Sequence, residues 1–321
     1  MICVFLSAYN GEKYLREQLD SILAQQGVEV RILVRDDGSK DTTASILQEY
    51  AEKYPDLLRW QHGENVGFAW SFIRLLQWGR ECYPECLRFA FADQDDVWLP
   101  DKLKAGVDVL NNEGEDLPVL YCSNLTLVDT DLNYMRMAWN KKSVRITKPR
   151  ALVQSFATGC TMVFNRTAVN MYLSHLPQVI KVHDFLMYQM CVFLGKVVWD
   201  EHSYILYRQH GHNQIGKPGY WGRWKKRLEG HYKEHTLELQ NRYFLEAFKD
   251  VLSVDDVGLI SQMVFYRKNC FSKLSLLFDC KIKYTNWESN FFYVLKILIG
   301  GGKPVGFWRG ASSFSRAFIA V

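Results

Sequence analysis

The chain has 321 residues, with 39 Lys and Arg against 35 Asp and Glu and a net charge of +4 at pH 7. A balance this close to neutral excludes nucleic acid as the expected partner, and no stretch approaches the ~20 consecutive apolar residues of a membrane span. The length exceeds the usual single-domain mode, so one α/β domain plus a helical extension is the expected division. The 8 Cys lack the paired spacing of a zinc site, and with no secretory signal read ahead of the first strand they predict reduced thiols in a cytoplasmic protein.

Residues 2–6 predict a buried parallel strand, Ser7-Ala8-Tyr9-Asn10-Gly11 a turn, and Leu15, Leu19, Ile22 and Leu23 the apolar face of a helix. A second unit repeats the pattern, with a strand over 30–34, a loop over 35–40, and a helix capped by Asp41 and faced by Ile46, Leu47, Tyr50 and Tyr54. A strand over 58–60, a turn at Asn65-Val66-Gly67 and a helix near 70–78 follow. The apolar run 87–92 then delivers Asp93-Gln94-Asp95-Asp96 into a loop ahead of a helix starting near Pro100. Residues 119–123 restart the sheet, 129–149 are polar and loop-rich, and strands are expected over 160–164, 196–200 and 203–207. From about Gly216 the pattern is helical, with Leu237, Phe244, Leu245 and Phe248 as apolar markers and a break at Gly300-Gly301-Gly302.

Clustered acids at the end of a strand repel one another, and burying them without a counter-charge costs several kcal/mol per ion. Either a divalent cation sits among them, with hard oxygen ligands favouring Mg²⁺ or Mn²⁺, or they form a solvated turn before the next helix. Open α/β sheets bind ligands beyond the carboxyl ends of their strands, so Asp36 and Asp37 are expected to line one crevice with Asp93, Asp95 and Asp96. The pair His183-Asp184 reads by itself as a helix N-cap. Arg208 and His210 end the strand over 203–207, where an Arg can grip phosphate and a neutral His can ligate a metal, although a lone His is more often structural.

Three ordered segments, Ser7-Ala8-Tyr9-Asn10-Gly11-Glu12, Asp36-Asp37-Gly38-Ser39-Lys40-Asp41-Thr42 and Asp93-Gln94-Asp95-Asp96, resemble the successive signatures of glycosyltransferase family 2, inverting nucleotide-sugar transferases of GT-A fold. His183-Asp184-Phe185 and the segment 207–213 are similar to the bacterial rhamnosyltransferase branch, and the resemblance covers about residues 1–215. It implies an α/β fold of GT-A type, an open and mostly parallel sheet flanked by helices, with 1–110 as nucleotide-binding half, 111–215 as acceptor half and 216–321 as helical extension. By the same resemblance Asp184 is the catalytic base and Asp95 and Asp93 hold Mn²⁺ or Mg²⁺ with His210. Ala8, Tyr9, Asn10, Glu12, Asp37, Asn65, Gly67, Asp93, Gln94 and Arg208 are placed at the nucleotide sugar, and Gly159-Cys160-Thr161 behind the sugar and acceptor. The implied donor is dTDP- or UDP-linked, with dTDP-L-rhamnose leading, and the acceptor a saccharide or polyprenyl-linked glycan of bacterial surface polysaccharide. A non-catalytic nucleotide-sugar-binding scaffold subunit would keep Asp37 and Asp95 and dispense with the base.

Two segments suit peripheral contact with the inner face of the cell membrane. Residues 291–299 are apolar apart from Lys296, and Gly222-Arg223-Trp224-Lys225-Lys226-Arg227 is a basic aromatic cluster. Taken singly, the first is more often a buried helix and the second a solvated basic face.

Overall fold

The computed structural model describes residues 1–210, 236–278 and 281–299, so the 222–227 cluster and the 300–302 break lie outside the described residues. The chain opens with β1 (Ile2–Ala8), α1 (Leu15–Leu23), β2 (Val30–Asp36), α2 (Thr43–Lys53), β3 (Leu58–His62), α3 (Phe68–Cys82) and β4 (Arg88–Ala92). It continues through β5 (Val97–Trp98), α4 (Lys102–Glu113), β6 (Val119–Val128), β7 (Tyr134–Met137), α5 (Lys148–Ala151), β8 (Met162–Asn165), α6 (Arg166–Ser174), α7 (His183–Leu194) and β9 (Lys196–Arg208). Four helices close the described chain: α8 (Thr236–Phe248), α9 (Val254–Phe265), α10 (Cys270–Phe278) and α11 (Trp287–Ile299).

The described strands form one sheet in the order β3-β2-β1-β4-β8-β6-β9-β5, with β7 beside β6. Pairing is parallel from β3 through β4 and between β6 and β9, while β8 enters antiparallel between β4 and β6 and β5 runs antiparallel to β9. Alternation along the strands divides the core in two. Cys3, Phe5 and Leu33 face α3, α6 and α7, whereas Ile2, Val4, Leu6, Ile32 and Val34 face α1, α2 and α4. Because both faces are covered, β1 and β4 carry no polar side chain over 2–6 and 89–92, which is why they read as unbroken apolar runs.

Three local expectations change. The strands expected over 196–200 and 203–207 are one continuous β9, whose register against β6 shifts at Ser123/Asn124 and again at Asn124/Thr126. The strand expected from 160 begins at Met162, because Gly159–Thr161 wind into a 3-10 turn. The loop-rich stretch 129–149 contains β7, a short edge strand held by a hairpin at Asp129, whose carboxylate accepts from the Asp131 and Asn133 N–H groups at 2.9 Å.

The C-terminal helices are built into the same core. Phe244 and Phe248 are fully buried beside Phe193 of α7, and burying a phenyl group contributes about 1.5–3 kcal/mol. Gln189 Nε2 of α7 donates to Asn241 Oδ1 at 2.7 Å, Lys148 pairs with Asp256 at 2.8 Å, and Gln154 exchanges hydrogen bonds with Thr285 at 3.0 and 3.2 Å. No helix among the described residues is long and apolar enough to cross a membrane.

Gly195 joins α7 to β9 at a point where a side chain has no room, since an added Cβ would lie 1.9 Å from Pro118 O on the entry to β6. Gly195→Ala is therefore expected to lower stability by about 1–3 kcal/mol or more, read as a lower midpoint in urea unfolding. An unchanged midpoint would show that β6 and β9 can part there without cost.

Candidate active site

The carboxyl ends of β1, β2 and β4 meet in one crevice, and backbone-directed hydrogen bonds lock their loops together. Gln94, in the loop after β4, accepts from Tyr9 N at 2.8 Å and donates to Tyr9 O at 3.1 Å, clasping the loop after β1. Gly11 makes that clasp possible, because a Cβ there would lie 2.4 Å from Gln94 Oε1. Asn10 takes a left-handed conformation at φ 48°, which Asn tolerates better than most residues. Its N–H donates to Ser39 Oγ and its side-chain oxygen accepts from Lys40 N, each at 2.9 Å. Glu12 accepts from the Thr42 N–H and hydroxyl, while Asp41 accepts from Thr43 N at 3.0 Å and Glu12 N at 3.1 Å. The N-cap position of α2 is Thr42, one residue past the expected Asp41, which instead accepts from the first helical N–H and binds the two loops to each other.

Asp37 is buried, and its carboxylate braces the third loop: it accepts from Val66 N and Gly67 N, each at 2.9 Å, and pairs with Arg35. Asn65 adds a 3.2 Å bond to Gly67 N. Asp36 is likewise committed, to Ser39 and to His62 Nδ1 at 2.8 Å, and Ala8 O accepts from Asp37 N at 2.8 Å. Ala8, Asp37, Asn65 and Gly67 therefore form one rigid rim. Around it the exposed functional surface is that of Tyr9, Asn10 and Glu12.

The acids after β4 divide into two groups. Asp95 faces outward to His210, whose Nε2 lies 2.8 Å from Asp95 Oδ2 and whose ring stacks on Tyr14 at 5.2 Å. Asp93 and Asp96 turn inward toward Cys160, with one ligand atom from each of the three within 4.8 Å of the others. Burial, then repulsion from Asp95 and Asp184, pushes the Asp93 carboxyl up, and burial with the fields of Asp95 and Asp93 holds Asp96 well above the usual range. Asp96 Oδ1 accepts from Arg208 N at 3.2 Å, and Oδ2 is buried without a hydrogen-bond partner. An orphaned buried carboxylate oxygen beside a second raised carboxyl is what a bound divalent cation would relieve, so these residues fit Mg²⁺ or Mn²⁺, with the thiol the softest member of the set.

Two cations support this loop from beneath. Arg208 is buried: its Nε donates to Asp95 O at 3.1 Å, its terminal nitrogens reach Thr130 O and Glu17, and its guanidinium lies 4.5 Å from the Tyr14 ring. These contacts make Arg208 a brace for the acid loop. Lys102 is also buried, 3.6 Å above the Trp98 ring, and burial pulls its pKa down to about 7 against the opposing fields of Cys160 and Asp96. Tyr14, Glu17 and Lys102 did not stand out in the sequence, since each joins the site only through tertiary packing, whereas Cys160 lies in the Gly159-Cys160-Thr161 segment that the family resemblance already set behind the sugar.

Asp184 comes to this crevice from the other half of the chain. It lies within the first turn of α7, two residues past the N-cap Val182, so the simple capping reading does not hold. Its Oδ2 accepts from Gly159 N at 2.8 Å and Oδ1 from Phe185 N at 2.7 Å. Burial lifts its pKa to about 6 even though those N–H groups pull the other way. Neighbouring His183 gives no counter-charge: buried and stacked on Phe72 at 4.0 Å, it is held neutral by desolvation, its pKa pushed down to about 3. A half-buried carboxyl with a pKa near neutrality, close enough to Asp93 to raise it, has the protonation behaviour of a general base.

Comparison with known proteins agrees with this architecture. Residues 3–173 match the family model described as glycosyl transferase family 2. Among curated proteins the chain is 30% identical over 232 residues to the dTDP-rhamnosyl transferase RfbG of Shigella flexneri, covering 66% of this chain and 73% of that protein. Among solved structures it is similar to S. aureus TarS 1-349, with TM-score 0.55 and 17% identity over 94% of this chain and 80% of that one. It is also similar to the mannosyltransferase PcManGT from Pyrobaculum calidifontis in complex with GDP-Man and Mn²⁺, with TM-score 0.50 and 16% identity over 94% of this chain and 86% of that one. Three signature loops converging on one crevice of a GT-A-like sheet, together with the family match, place the chain in glycosyl transferase family 2, as a glycosyltransferase acting on a nucleotide sugar.

Proposed function

We propose that the protein transfers L-rhamnose from dTDP-L-rhamnose, with inversion and with a divalent metal, to a saccharide or polyprenyl-linked glycan of a bacterial surface polysaccharide. The observation that carries the reading is the approach of the Asp184 carboxyl, hydrogen-bonded to Gly159 beside Cys160, to the Asp93–Asp96 cluster from the other half of the chain. The 30% identity to a protein named as a dTDP-rhamnosyl transferase supports the donor, and the Mn²⁺ in the PcManGT complex supports the metal in this fold.

In this reading the rim formed by Ala8, Tyr9, Asn10, Glu12, Asn65 and Gly67 receives the base and ribose, and Asp37 acts by fixing that rim. Asp95 and Asp93, with His210 at Asp95 and Asp96 behind, would hold the cation, which would supply neutralisation of the charge on the leaving diphosphate. Arg208 keeps the loop in place through Asp95 O and Asp96. Asp184 accepts the proton of the acceptor hydroxyl as that oxygen bonds to the anomeric carbon and the carbon–diphosphate bond breaks. Gly159 leaves room for the sugar beside the base, since its hydrogen-bonded approach to Asp184 leaves no side chain between them.

Donor hydrolysis with a panel of nucleotide sugars tests the assignment, and turnover of UDP-N-acetylglucosamine or a UDP-hexose in preference to dTDP-L-rhamnose would replace the donor while keeping the enzyme. Binding without turnover of any donor would point to a scaffold subunit. Excess chelator and Asp95→Ala should each abolish transfer with the fold intact by circular dichroism; full activity in chelator would remove the metal. Thymidine or uridine diphosphate should raise the melting temperature more than adenosine diphosphate, since a ligand bound only by the native state stabilises it.

Asp184→Asn keeps shape but cannot take a proton, so transfer should fall roughly 10²- to 10⁴-fold while donor binding persists. In the native enzyme kcat/KM should rise with pH up to about 6 and then level, because the base works only when ionised. The same shift has a stability signature of known sign. Between the ordinary carboxylate range and about 6 the folded state holds the Asp184 proton and the unfolded chain releases it, so stability falls as pH rises through that window. In chelator, Asp184→Asn should therefore resist urea better than the native chain at pH 8, with the difference closing toward pH 4.

A further inference from the structure

Helices α10 and α11 pack on each other, and α11 buries Phe292, Tyr293 and Ile297 against the body of the protein. The other side of α11 is apolar as well. Trp287, Phe291, Val294 and Leu298 recur at i, i+4, i+7 and i+11 along one exposed face. Phe271 and Leu274 of α10 are exposed beside it, and Lys273 Nζ donates to Leu298 O at 3.2 Å, which joins the two faces. Phe271 is 84% exposed and Trp287 69%. A helix that carries an exposed apolar stripe besides its buried one presents surface of the kind that marks a docking face.

Charge selects the occupant. Residues 265–321 hold nine Lys and Arg against two acids, while residues 1–264 hold 30 against 33, so the basic excess of the whole chain sits in this one segment. Exposed Lys268, Lys281 and Lys283 stand where the chain enters and leaves α10. A second copy docking on the same face would bring Lys268, Lys281 and Lys283 against their own kind, which repulsion opposes, whereas an anionic lipid surface answers both the apolar stripe and the charge. We propose that the exposed face of α10 and α11 docks on an anionic bilayer, with Trp287, Phe291 and Phe271 entering the headgroup boundary and the lysines meeting lipid phosphates. The proposal goes beyond the donor reading and does not depend on it.

Flotation of the full chain with vesicles tests it. The protein should bind phosphatidylcholine vesicles containing phosphatidylglycerol, release as salt rises, and bind pure phosphatidylcholine much more weakly. Replacing Lys268, Lys281 and Lys283 by Gln should weaken binding on the order of a hundredfold, about fivefold per lysine, and Trp287→Ser with Phe291→Ser should weaken binding to both vesicle types. Donor hydrolysis should be unchanged in every variant, showing that the fold stands and separating this surface from the active site. Equal binding to both vesicle types, indifference to both sets of substitutions, or a dimer in sedimentation that Phe291→Ser dissociates would each overturn the proposal.

Discussion

Like-charge crowding at the end of β4 is the constraint around which this structure is arranged. Asp93, Asp95 and Asp96 leave a fully buried strand together, and Asp184 adds a fourth carboxyl from α7. Separating Asp95 from the inner pair relieves part of the repulsion; His210 Nε2 lies 2.8 Å from Asp95, the Arg208 backbone N–H donates to Asp96 and its Nε to Asp95 O, and Lys102 is buried nearby with its pKa drawn down to about 7. Burial first, and then the mutual repulsion of the acids, raises the Asp93 and Asp96 carboxyl pKa values, while burial alone raises that of Asp184. A site that holds such a cost in the free protein is one that a cation and a diphosphate together can relieve, and the stability lost there is the counterpart of its chemistry.

Rigidity of the rim follows from a different economy of hydrogen bonds. The polar side chains of the signature loops, Asn10, Glu12, Asp36, Asp37, Asp41 and Gln94, are spent largely on backbone N–H groups of neighbouring loops. A loop held through its own backbone keeps its shape when a ligand arrives, so binding loses less to ordering. This also explains why a motif residue such as Asp37 acts at a distance: it builds the surface that Asn65 and Gly67 present. Arg208 works in the same way, as a buried strut whose removal would loosen Asp95.

The helices after residue 236 serve two ends. Their inner side extends the core of the catalytic domain through Phe244, Phe248 and the Gln189–Asn241 bond, which steadies α7 and with it Asp184. Their outer side, on α10 and α11, remains apolar in water.

The sequence by itself determined the strand–loop–helix order of the first half, since period-2 and period-3.6 apolar patterns and Gly and Asp turn chemistry are local properties. It also marked Asp93, Asp95, Arg208 and His210, because carboxylates and cations after apolar strands stand out in any reading, whereas Asp184 read by itself as a helix N-cap and was marked only by the family resemblance. Tertiary structure alone decided what these residues touch. Which of three adjacent acids turn inward depends on the path from β4 into β5, and the approach of Gly159 and Cys160 to Asp184 and Asp93 spans residues remote in the chain. The continuity of β9, the insertion of β8 between β4 and β6, and the burial of Lys102 and Arg208 are likewise invisible locally. Each arises from pairing between strands or packing between helices far apart in sequence, where no short-range pattern carries the information.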